Sequence, residues 1–152
     1  MLWDLSPSNK SSEVWFTESG ANNIGVLCYN VTTTLKRISV PTLNSQPWGI
    51  ATVNWRTQPA PAGVPTVAAV FTESYGNKIG VVAANMTRIA EYSIPTGGSG
   101  PRKIVLDPWR NCTWFTEYAA GQIGKLSFPW VTPNAWRANI TEYKLPGAPP
   151  SN

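Results

Sequence analysis

Short runs of apolar and polar residues alternate along the chain, and turn-forming residues bound each run. The runs are rich in Val, Ile, Thr and aromatic residues, while Gly, Pro, Asn and Ser separate them. Alternation with a period of two places successive side chains on opposite faces of a strand. No window keeps helical periodicity for three turns, so the pattern predicts an all-β protein built from short strands.

One four-residue motif occurs three times with constant spacing. It reads W-F-T-E at residues 15–18 and 114–117 and V-F-T-E at residues 70–73, and an Ile-Gly pair follows each copy. The glycine always stands seven residues after the glutamate. This constancy predicts a repeated structural unit, with structural roles for nine positions. They are Phe16, Glu18, Gly25, Phe71, Glu73, Gly80, Phe115, Glu117 and Gly124.

Each unit carries signals for four strands. After the Ile-Gly pair comes a strand that ends at Pro41, Pro95 or Pro146, and a further strand opens at Pro47 and at Pro101. Four short strands in roughly 44 residues are typical of one blade of a β-propeller. We therefore predict three four-stranded antiparallel blades, at 1–46, 47–100 and 101–152. The repeated Phe is expected to fill the interface between blades, and the repeated Gly to allow a turn or a close backbone approach.

Three blades are too few for a closed ring, since propellers close with about 4 to 8 blades. A three-blade segment leaves an apolar blade face bare on each side. Two arrangements would cover these faces. Further blades can come from a longer chain of the same protein, or a second copy can complete a ring with two-fold symmetry.

The repeat resembles that of the virginiamycin B lyase (streptogramin lyase) family over essentially the whole chain. The similar segments are W-F-T-E at 114–117, N-K-I-G at 77–80, I-T-E-Y at 140–143 and P-W-G-I at 47–50. The resemblance implies the propeller fold. For the enzymes of that family it also implies an elimination reaction that opens a cyclic depsipeptide antibiotic, with a metal ion and a catalytic histidine.

The chain has no histidine. An elimination needs a general base for the proton next to a carbonyl, and an acid or a metal to stabilise the enolate. The family's histidine therefore has no counterpart here, and we expect no catalytic residue, no metal and no cofactor. The repeated glutamates could bind a cation, but their recurrence in every unit favours a structural role. The alternative is a lyase whose catalytic residues lie outside this segment.

The composition also bears on which classes of binding partner to expect. Only 13% of the residues are charged, and the net charge is +4. Basic residues occur at most in pairs, so nucleic-acid binding is not expected. No apolar stretch approaches the ~18 residues of a membrane span. The N-terminus lacks the basic and apolar regions of a signal peptide, so we expect any export signal upstream of Met1.

Five N-x-S/T sequons favour an extracellular or cell-surface location and glycosylation. They begin at Asn9, Asn30, Asn85, Asn111 and Asn139. Asn30 and Asn85 each stand five residues after the glycine of the Ile-Gly pair. They are therefore expected in the same loop of successive blades, on one rim of the ring.

The candidate ligand face consists of Trp48, Arg102 and Lys103, which follow the prolines that open the inner strands. An exposed Trp there can stack on a sugar, which makes a carbohydrate-binding propeller a further alternative. Cys28 and Cys112 are predicted two blades apart, too far for a bond within one ring. They are either two buried thiols or partners in a bond between chains. The function predicted from the sequence is a non-catalytic extracellular module for binding or structural assembly.

Overall fold

The computed structural model describes residues 1–7, 12–29, 32–53, 67–110, 112–127 and 138–147. Within these ranges the chain forms twelve β-strands and one short 3₁₀ helix, Ser19–Ala21. The strands form three separate four-stranded antiparallel sheets. The predicted all-β fold with three four-stranded units is therefore confirmed.

Each sheet takes its four strands in chain order. Sheet 1 contains β1 (Leu2–Pro7), β2 (Glu13–Glu18), β3 (Asn23–Tyr29) and β4 (Thr33–Ser39). Sheet 2 contains β5 (Pro47–Thr52), β6 (Val67–Glu73), β7 (Lys78–Ala83) and β8 (Ile89–Ser93). Sheet 3 contains β9 (Pro101–Asp107), β10 (Cys112–Glu117), β11 (Gln122–Ser127) and β12 (Asn139–Lys144). The first strands β1, β5 and β9 lie next to one another and are called the inner strands. The unit boundaries 1–46, 47–100 and 101–152 stay predictions.

The outer strands differ from their predicted positions. They were expected to run into Pro41, Pro95 and Pro146, yet β4, β8 and β12 end two residues before these prolines. Proline has no N–H to contribute to the ladder, so the strand stops before it. The first inner strand, β1, runs Leu2–Pro7 and begins without the proline that opens the other two inner strands.

The repeated Phe and Gly residues are partners within each sheet. Phe16 lies opposite Gly25, Phe71 opposite Gly80, and Phe115 opposite Gly124. A β-carbon on any of these glycines would lie 2.1–2.3 Å from the nearest ring atom. The glycine therefore leaves room for the ring to lie across the neighbouring strand. The predicted turn at this glycine is wrong, because all three glycines lie inside strands.

The two apolar cores lie between sheets. Phe71 packs in one cluster with Trp15, Ile24 and Val26 of sheet 1. Phe115 packs in the other cluster with residues of sheet 2, including Val70. Each ring thus fills the space between its own sheet and the preceding one, and burial of these rings joins the sheets.

Among the described residues, no further sheet packs against the outer face of sheet 1 or of sheet 3. Leu5, which pairs with Phe16 as Ile50 pairs with Phe71, is 66% exposed. On the outer face of sheet 3, Val105, Trp114 and Ile123 line an apolar cavity of about 170 Å³. Such faces are unfavourable in water.

Candidate functional site at the linker face

One edge of the three sheets gathers the segments that connect them. Pro47 pairs with Glu73, and Pro101 pairs with Glu117, so each inner strand begins where the second strand of its sheet ends. This edge also carries residues 40–46 and 94–100, which link the sheets. We call it the linker face, and the opposite edge the turn face.

Each inner strand carries a β-bulge close to the linker face. The pairing register shifts between Leu2 and Leu5 in β1 and between Pro47 and Ile50 in β5. The same irregularity interrupts the pairing of β9 with β10, opposite the segment between Phe115 and Glu117. A bulge changes the direction in which the side chain of the extra residue points. Trp48, Arg102 and Lys103 of the candidate ligand face lie in or next to these bulges.

Arg102 joins two aromatic side chains from different sheets. Its guanidinium carbon lies 4.9 Å from the ring centroid of Trp48 and 3.7 Å from that of Tyr118. Its Nε atom is buried and has no hydrogen-bond partner among the described residues. A planar cation held between rings loses little freedom when it binds a ligand. Tyr118 was missed from the sequence, although it directly follows the repeated Glu117.

Lys103 extends the same surface toward sheet 1. Its Nζ atom lies 3.6 Å from Oδ2 of Asp4, and its side chain is 68% exposed. The same Asp4 oxygen accepts a hydrogen bond of 3.2 Å from the amide of Ile50. An exposed ion pair of this kind contributes about 0–1 kcal/mol. Lys103 therefore remains available to a ligand, and the linker face combines groups from all three sheets.

Threonines of the repeat hold the inner strands together. The Thr72 hydroxyl accepts a hydrogen bond of 2.9 Å from the Gly49 amide and donates one of 2.7 Å to the carbonyl of Arg102. The hydroxyl of Thr17 makes the corresponding bond of 2.8 Å to the carbonyl of Trp48. Both bonds cross from one sheet to the next at the bulges. This role was missed from the sequence, although Thr recurs in all three copies of the motif.

Thr72→Val is expected to lower the free energy of unfolding by about 3 kcal/mol. The change keeps the side-chain shape but leaves the amide of Gly49 and the carbonyl of Arg102 without this hydrogen-bond partner. Each buried polar group that loses its partner costs about 1–3 kcal/mol of stability. Urea unfolding measures the loss. Thr116→Val is the matched control, because among the described residues its hydroxyl accepts one exposed bond, from the amide of Lys103. Equal losses in the two variants would contradict the assigned role.

The three repeated glutamates have different surroundings. Glu18 is partly exposed and binds Arg37, with 2.7 Å between Oε2 and Nε. Glu73 and Glu117 are 0% and 1% exposed, and their carboxyl oxygens have no hydrogen-bond partner among the described residues. Burial raises the pKa of Glu73 to about 8, and the negative charge of Glu91 contributes. Burial likewise raises the pKa of Glu117 to about 7, with a contribution from a neighbouring glutamate of β12.

The raised pKa of Glu73 predicts a specific pH dependence of stability. Because the folded-state pKa of about 8 lies above the ordinary value of 4.5, the native state keeps a proton that the unfolded chain releases in this interval. The contribution of Glu73 to stability therefore falls as the pH rises from 4.5 to 8. Glu73→Gln removes this loss, so the variant should gain stability relative to the parent between pH 5 and pH 8. Urea midpoints at both pH values measure the difference, and a constant difference would contradict the prediction.

Two of the five predicted sequons fall on described residues, at the turn face. Asn85 is exposed in the turn between β7 and β8, where its Oδ1 accepts a hydrogen bond of 2.7 Å from the hydroxyl of Thr87. Asn139 is exposed at the start of β12. The other three, Asn9, Asn30 and Asn111, lie outside the described residues.

The two cysteines are both free thiols. Cys28 is half-buried in β3, and Cys112 is fully buried as the first residue of β10. Burial raises the pKa of the Cys112 thiol and lowers its reactivity.

Two features are absent from the described residues. They contain no set of three or more acidic, His or Cys side chains that could hold a metal ion. They also contain no helix that is long and apolar enough to cross a membrane.

Comparison with solved structures decides the architecture. A catalytically inactive variant of virginiamycin B lyase from Staphylococcus aureus, solved with quinupristin, matches 96% of this chain with a TM-score of 0.74 and 33% identity. The three sheets are blades of a β-propeller. The chain spans 42% of the length of that lyase. A streptogramin B lyase structure matches 88% of the chain at 31% identity with a TM-score of 0.63, and the chain spans 37% of it.

More distant similarity is limited to the fold. The structure of a nidogen/laminin complex contains a chain that matches 93% of this one with a TM-score of 0.62 and 18% identity. No family model and no curated protein matches the sequence. The predicted resemblance to virginiamycin B lyase is supported as a structural similarity.

Proposed function

We propose that the chain is a non-catalytic extracellular β-propeller module that binds a ligand or assembles with a partner at a cell or particle surface. The observation that carries the proposal is the contact of Arg102 with Trp48 and Tyr118 at the linker face. It brings one fixed cation and two aromatic rings to the edge where inner strands of neighbouring blades meet. Lys103 adds a second, exposed cation.

This set of groups favours a polar ligand that presents a sugar ring or an anionic group. An aromatic ring can stack on the apolar face of a sugar, while Arg and Lys bind carboxylate or sulfate groups. A protein segment that presents Asp or Glu fits the same surface. The proposed ligands are therefore a glycan or a protein, and no nucleic acid is involved because the net charge of +4 is spread thinly.

We expect no catalysis by this chain, because the chain supplies no base of the kind used by the similar lyase. The inactive form of that lyase has a histidine replaced by alanine, and the present chain has no histidine at all. Lyase activity is the alternative function, and the identity of 33% with the lyase favours it. It would require catalytic residues on blades outside this segment.

The extracellular location rests on the sequons and on the low charged fraction of 13%. Glycans on Asn85 and Asn139 would project from the turn face and leave the linker face open to a ligand. Intact mass before and after deglycosylation, measured on protein from a host that glycosylates, tests this part. We expect the mass to fall, and an unchanged mass would overturn it.

A glycan array with two variants and one control tests the binding proposal. Trp48→Ala removes one ring, and Arg102→Lys keeps the charge but loses the planar stacking group. Both should weaken any binding by at least tenfold. Trp109→Ala is the control, since Trp109 is 87% exposed in a turn on the opposite edge. Binding that survives both linker-face changes, or that is lost in the control, would overturn the assignment of the linker face.

Completion of the ring is proposed to need further blades, from a longer chain or from a second copy. The exposed Leu5 and the apolar cavity on blade 3 support this, because both lie where another blade would pack. Light scattering measures the solution mass of the 152-residue chain. A dimer supports the second copy, and a stable monomer supports further blades of the same protein.

A further inference from the structure

Each blade has a front and a back. The front is the sheet face that carries the repeated Phe, and the back is the opposite face. In this chain the front of blade 2 packs on the back of blade 1, and the front of blade 3 packs on the back of blade 2. The front of blade 1 and the back of blade 3 are the two faces on which no described sheet packs.

The front of blade 1 is built like the front of blade 2. Strand pairing places five apolar residues of blade 1 at the positions of five apolar residues of blade 2. The pairs are Leu5 and Ile50, Val14 and Ala69, Phe16 and Phe71, Leu27 and Val82, and Leu35 and Ile89. The members from blade 2 pack against blade 1, whereas Leu5 and Leu35 are 66% and 44% exposed. The front of blade 1 therefore offers the same apolar surface without a described blade that covers it.

The back of blade 3 is built like the back of blade 1. Trp114 and Ile123 occupy the positions of Trp15 and Ile24, so the residue types are identical. Trp15 and Ile24 are 3% and 0% exposed because the front of blade 2 covers them. Trp114 and Ile123 are only half-buried and line the apolar cavity together with Val105. A blade front like that of blade 2 therefore fits this surface.

Further apolar area surrounds Trp114 on the back of blade 3. Val105 and Tyr143 are 60% and 45% exposed, and the ring centroid of Tyr143 lies 5.7 Å from that of Trp114. Lys125 stands where Val26 stands in blade 1, and its Nζ atom lies 5.5 Å from the ring centroid of Trp114. The ring attracts the ammonium group, while the aliphatic part of this lysine adds to the apolar surface. Burial of this surface against another blade is favourable.

One position indicates that the two uncovered faces match each other. Where blades 1 and 2 meet, the amide and the hydroxyl of Thr52 each lie 3.1 Å from Oγ of Ser6. The corresponding residues on the uncovered faces are Pro7 and Val105. Proline has no amide hydrogen to donate and valine has no oxygen to accept one, so the donor and the acceptor are both absent. The junction between blades 2 and 3 also has two apolar residues at these positions, Ala51 and Leu106.

We propose that the back of blade 3 binds the front of blade 1 of a second copy of this chain. Because each copy has one such front and one such back, two copies of three blades close a six-bladed ring with two-fold symmetry. Six lies within the about 4 to 8 blades of known propellers. The second copy is the partner because one sequence supplies both matching faces. The inference rests on the ring completion proposed above and names its partner.

One contact of the junctions within the chain has no counterpart between the copies. Oε1 of Glu91 accepts a hydrogen bond of 2.8 Å from the amide of Thr42. The corresponding residues at the new junction are Arg37, which binds Glu18 of its own blade, and Gly147. We therefore expect the contact between copies to be weaker than a junction within the chain, so that the dimer dissociates on dilution.

Sedimentation velocity over a series of chain concentrations tests the proposal. The parent is expected to reach twice the mass of the chain as its concentration rises. Leu5→Arg places a charge on the front of blade 1, and Val105→Arg places one on the back of blade 3, so each should weaken association at least tenfold. Both side chains are more than half exposed in the single chain, so we expect both variants to fold. Leu43→Arg is the control and should keep the dimer, because Leu43 is 85% exposed in the linker between blades 1 and 2.

A mixture of the two charged variants distinguishes the proposed ring from the pairing of like faces. Leu5→Arg keeps an intact back and Val105→Arg keeps an intact front, so one unaltered junction forms in the mixture and dimers should return. If only one variant disrupts the dimer, like faces pair and the proposal is wrong. A parent that stays monomeric at every concentration would also overturn it.

A double cysteine variant tests the position of the contact. Pro7→Cys combined with Val105→Cys places thiols at the positions equivalent to Thr52 and Ser6. Mild oxidation should link two copies, which a non-reducing gel shows as a dimer, while each single variant should stay unlinked. Linked species larger than a dimer would show an open chain of copies and refute the closed ring.

Failure of this proposal and failure of the binding proposal can be told apart. Trp48, Arg102 and Tyr118 contact one another within a single chain, so a monomeric parent can still bind a ligand at the linker face. Conversely, Trp48→Ala should lose ligand binding and keep the dimer. Unfolding measured in dilute protein, where the copies are dissociated, reports the single chain with its half-buried Phe16.

Discussion

Phe71→Ala is expected to lower the free energy of unfolding by about 4 kcal/mol. Phe71 is 0% exposed and belongs to the core between blades 1 and 2. Truncation of a buried Phe to Ala costs about 3–5 kcal/mol, because the transfer energy is lost and a cavity remains. The opposite Gly80 has no side chain that could fill this cavity. Urea unfolding followed by tryptophan fluorescence measures the change, since Trp15 belongs to the same core.

Phe16→Ala is the control for this prediction. Phe16 occupies the same repeat position in blade 1, but it is only half-buried, since none of the described blades packs on its outer side. Its truncation should cost about half as much, in proportion to the smaller apolar area that it buries. Equal losses at the two positions would mean that Phe71 acts within its own sheet and does not join the blades.

Gly49→Ala is expected to cost about 3 kcal/mol and to disturb the linker face. A β-carbon at position 49 would lie 2.2 Å from the carbonyl oxygen of Arg102 in the next blade. That oxygen belongs to the backbone and accepts the hydrogen bond of Thr72, so it cannot move away cheaply. Overpacking of this kind typically costs about 1–3 kcal/mol, occasionally more. The shift should also separate Trp48 from Arg102, which tryptophan fluorescence and the glycan array would register.

Gly97→Ala is the matched control for Gly49. A β-carbon at Gly97 would meet no heavy atom within 4 Å. Its replacement should therefore change the free energy of unfolding by no more than about 0.5 kcal/mol. A similar loss at both glycines would show that the effect at Gly49 is a general cost of replacing glycine and not a contact between blades.

The fold was predictable because a sequence motif recurs three times along the chain. Three copies of Phe, Glu and Gly at constant spacing require one local structure used three times, and the structure has three matching sheets. The role of the glycine was not predictable in the same way. Sequence spacing does not reveal that Gly80 lies opposite Phe71, since that depends on the pairing register between two strands.

The candidate site was predictable only in part. Trp48 and Arg102 follow prolines at equivalent positions, so the repeat indicated that they share an edge. Tyr118 contacts Arg102 from the turn after the repeated Glu117, but the other two units have Ser at this position, so the repeat did not indicate its role. The surroundings of the glutamates also depend on the fourth strand of each blade, which is distant in sequence. This strand places Arg37 beside Glu18 but Glu91 beside Glu73.

We propose that this β-propeller chain has no lyase activity. Incubation of the full chain with quinupristin and Mg²⁺, followed by chromatographic separation of the cyclic and ring-opened forms, tests it most directly. The account predicts no ring-opened product above the level without protein, even where tryptophan fluorescence detects binding. Ring-opened product that accumulates in proportion to protein concentration would contradict the account and establish the lyase alternative.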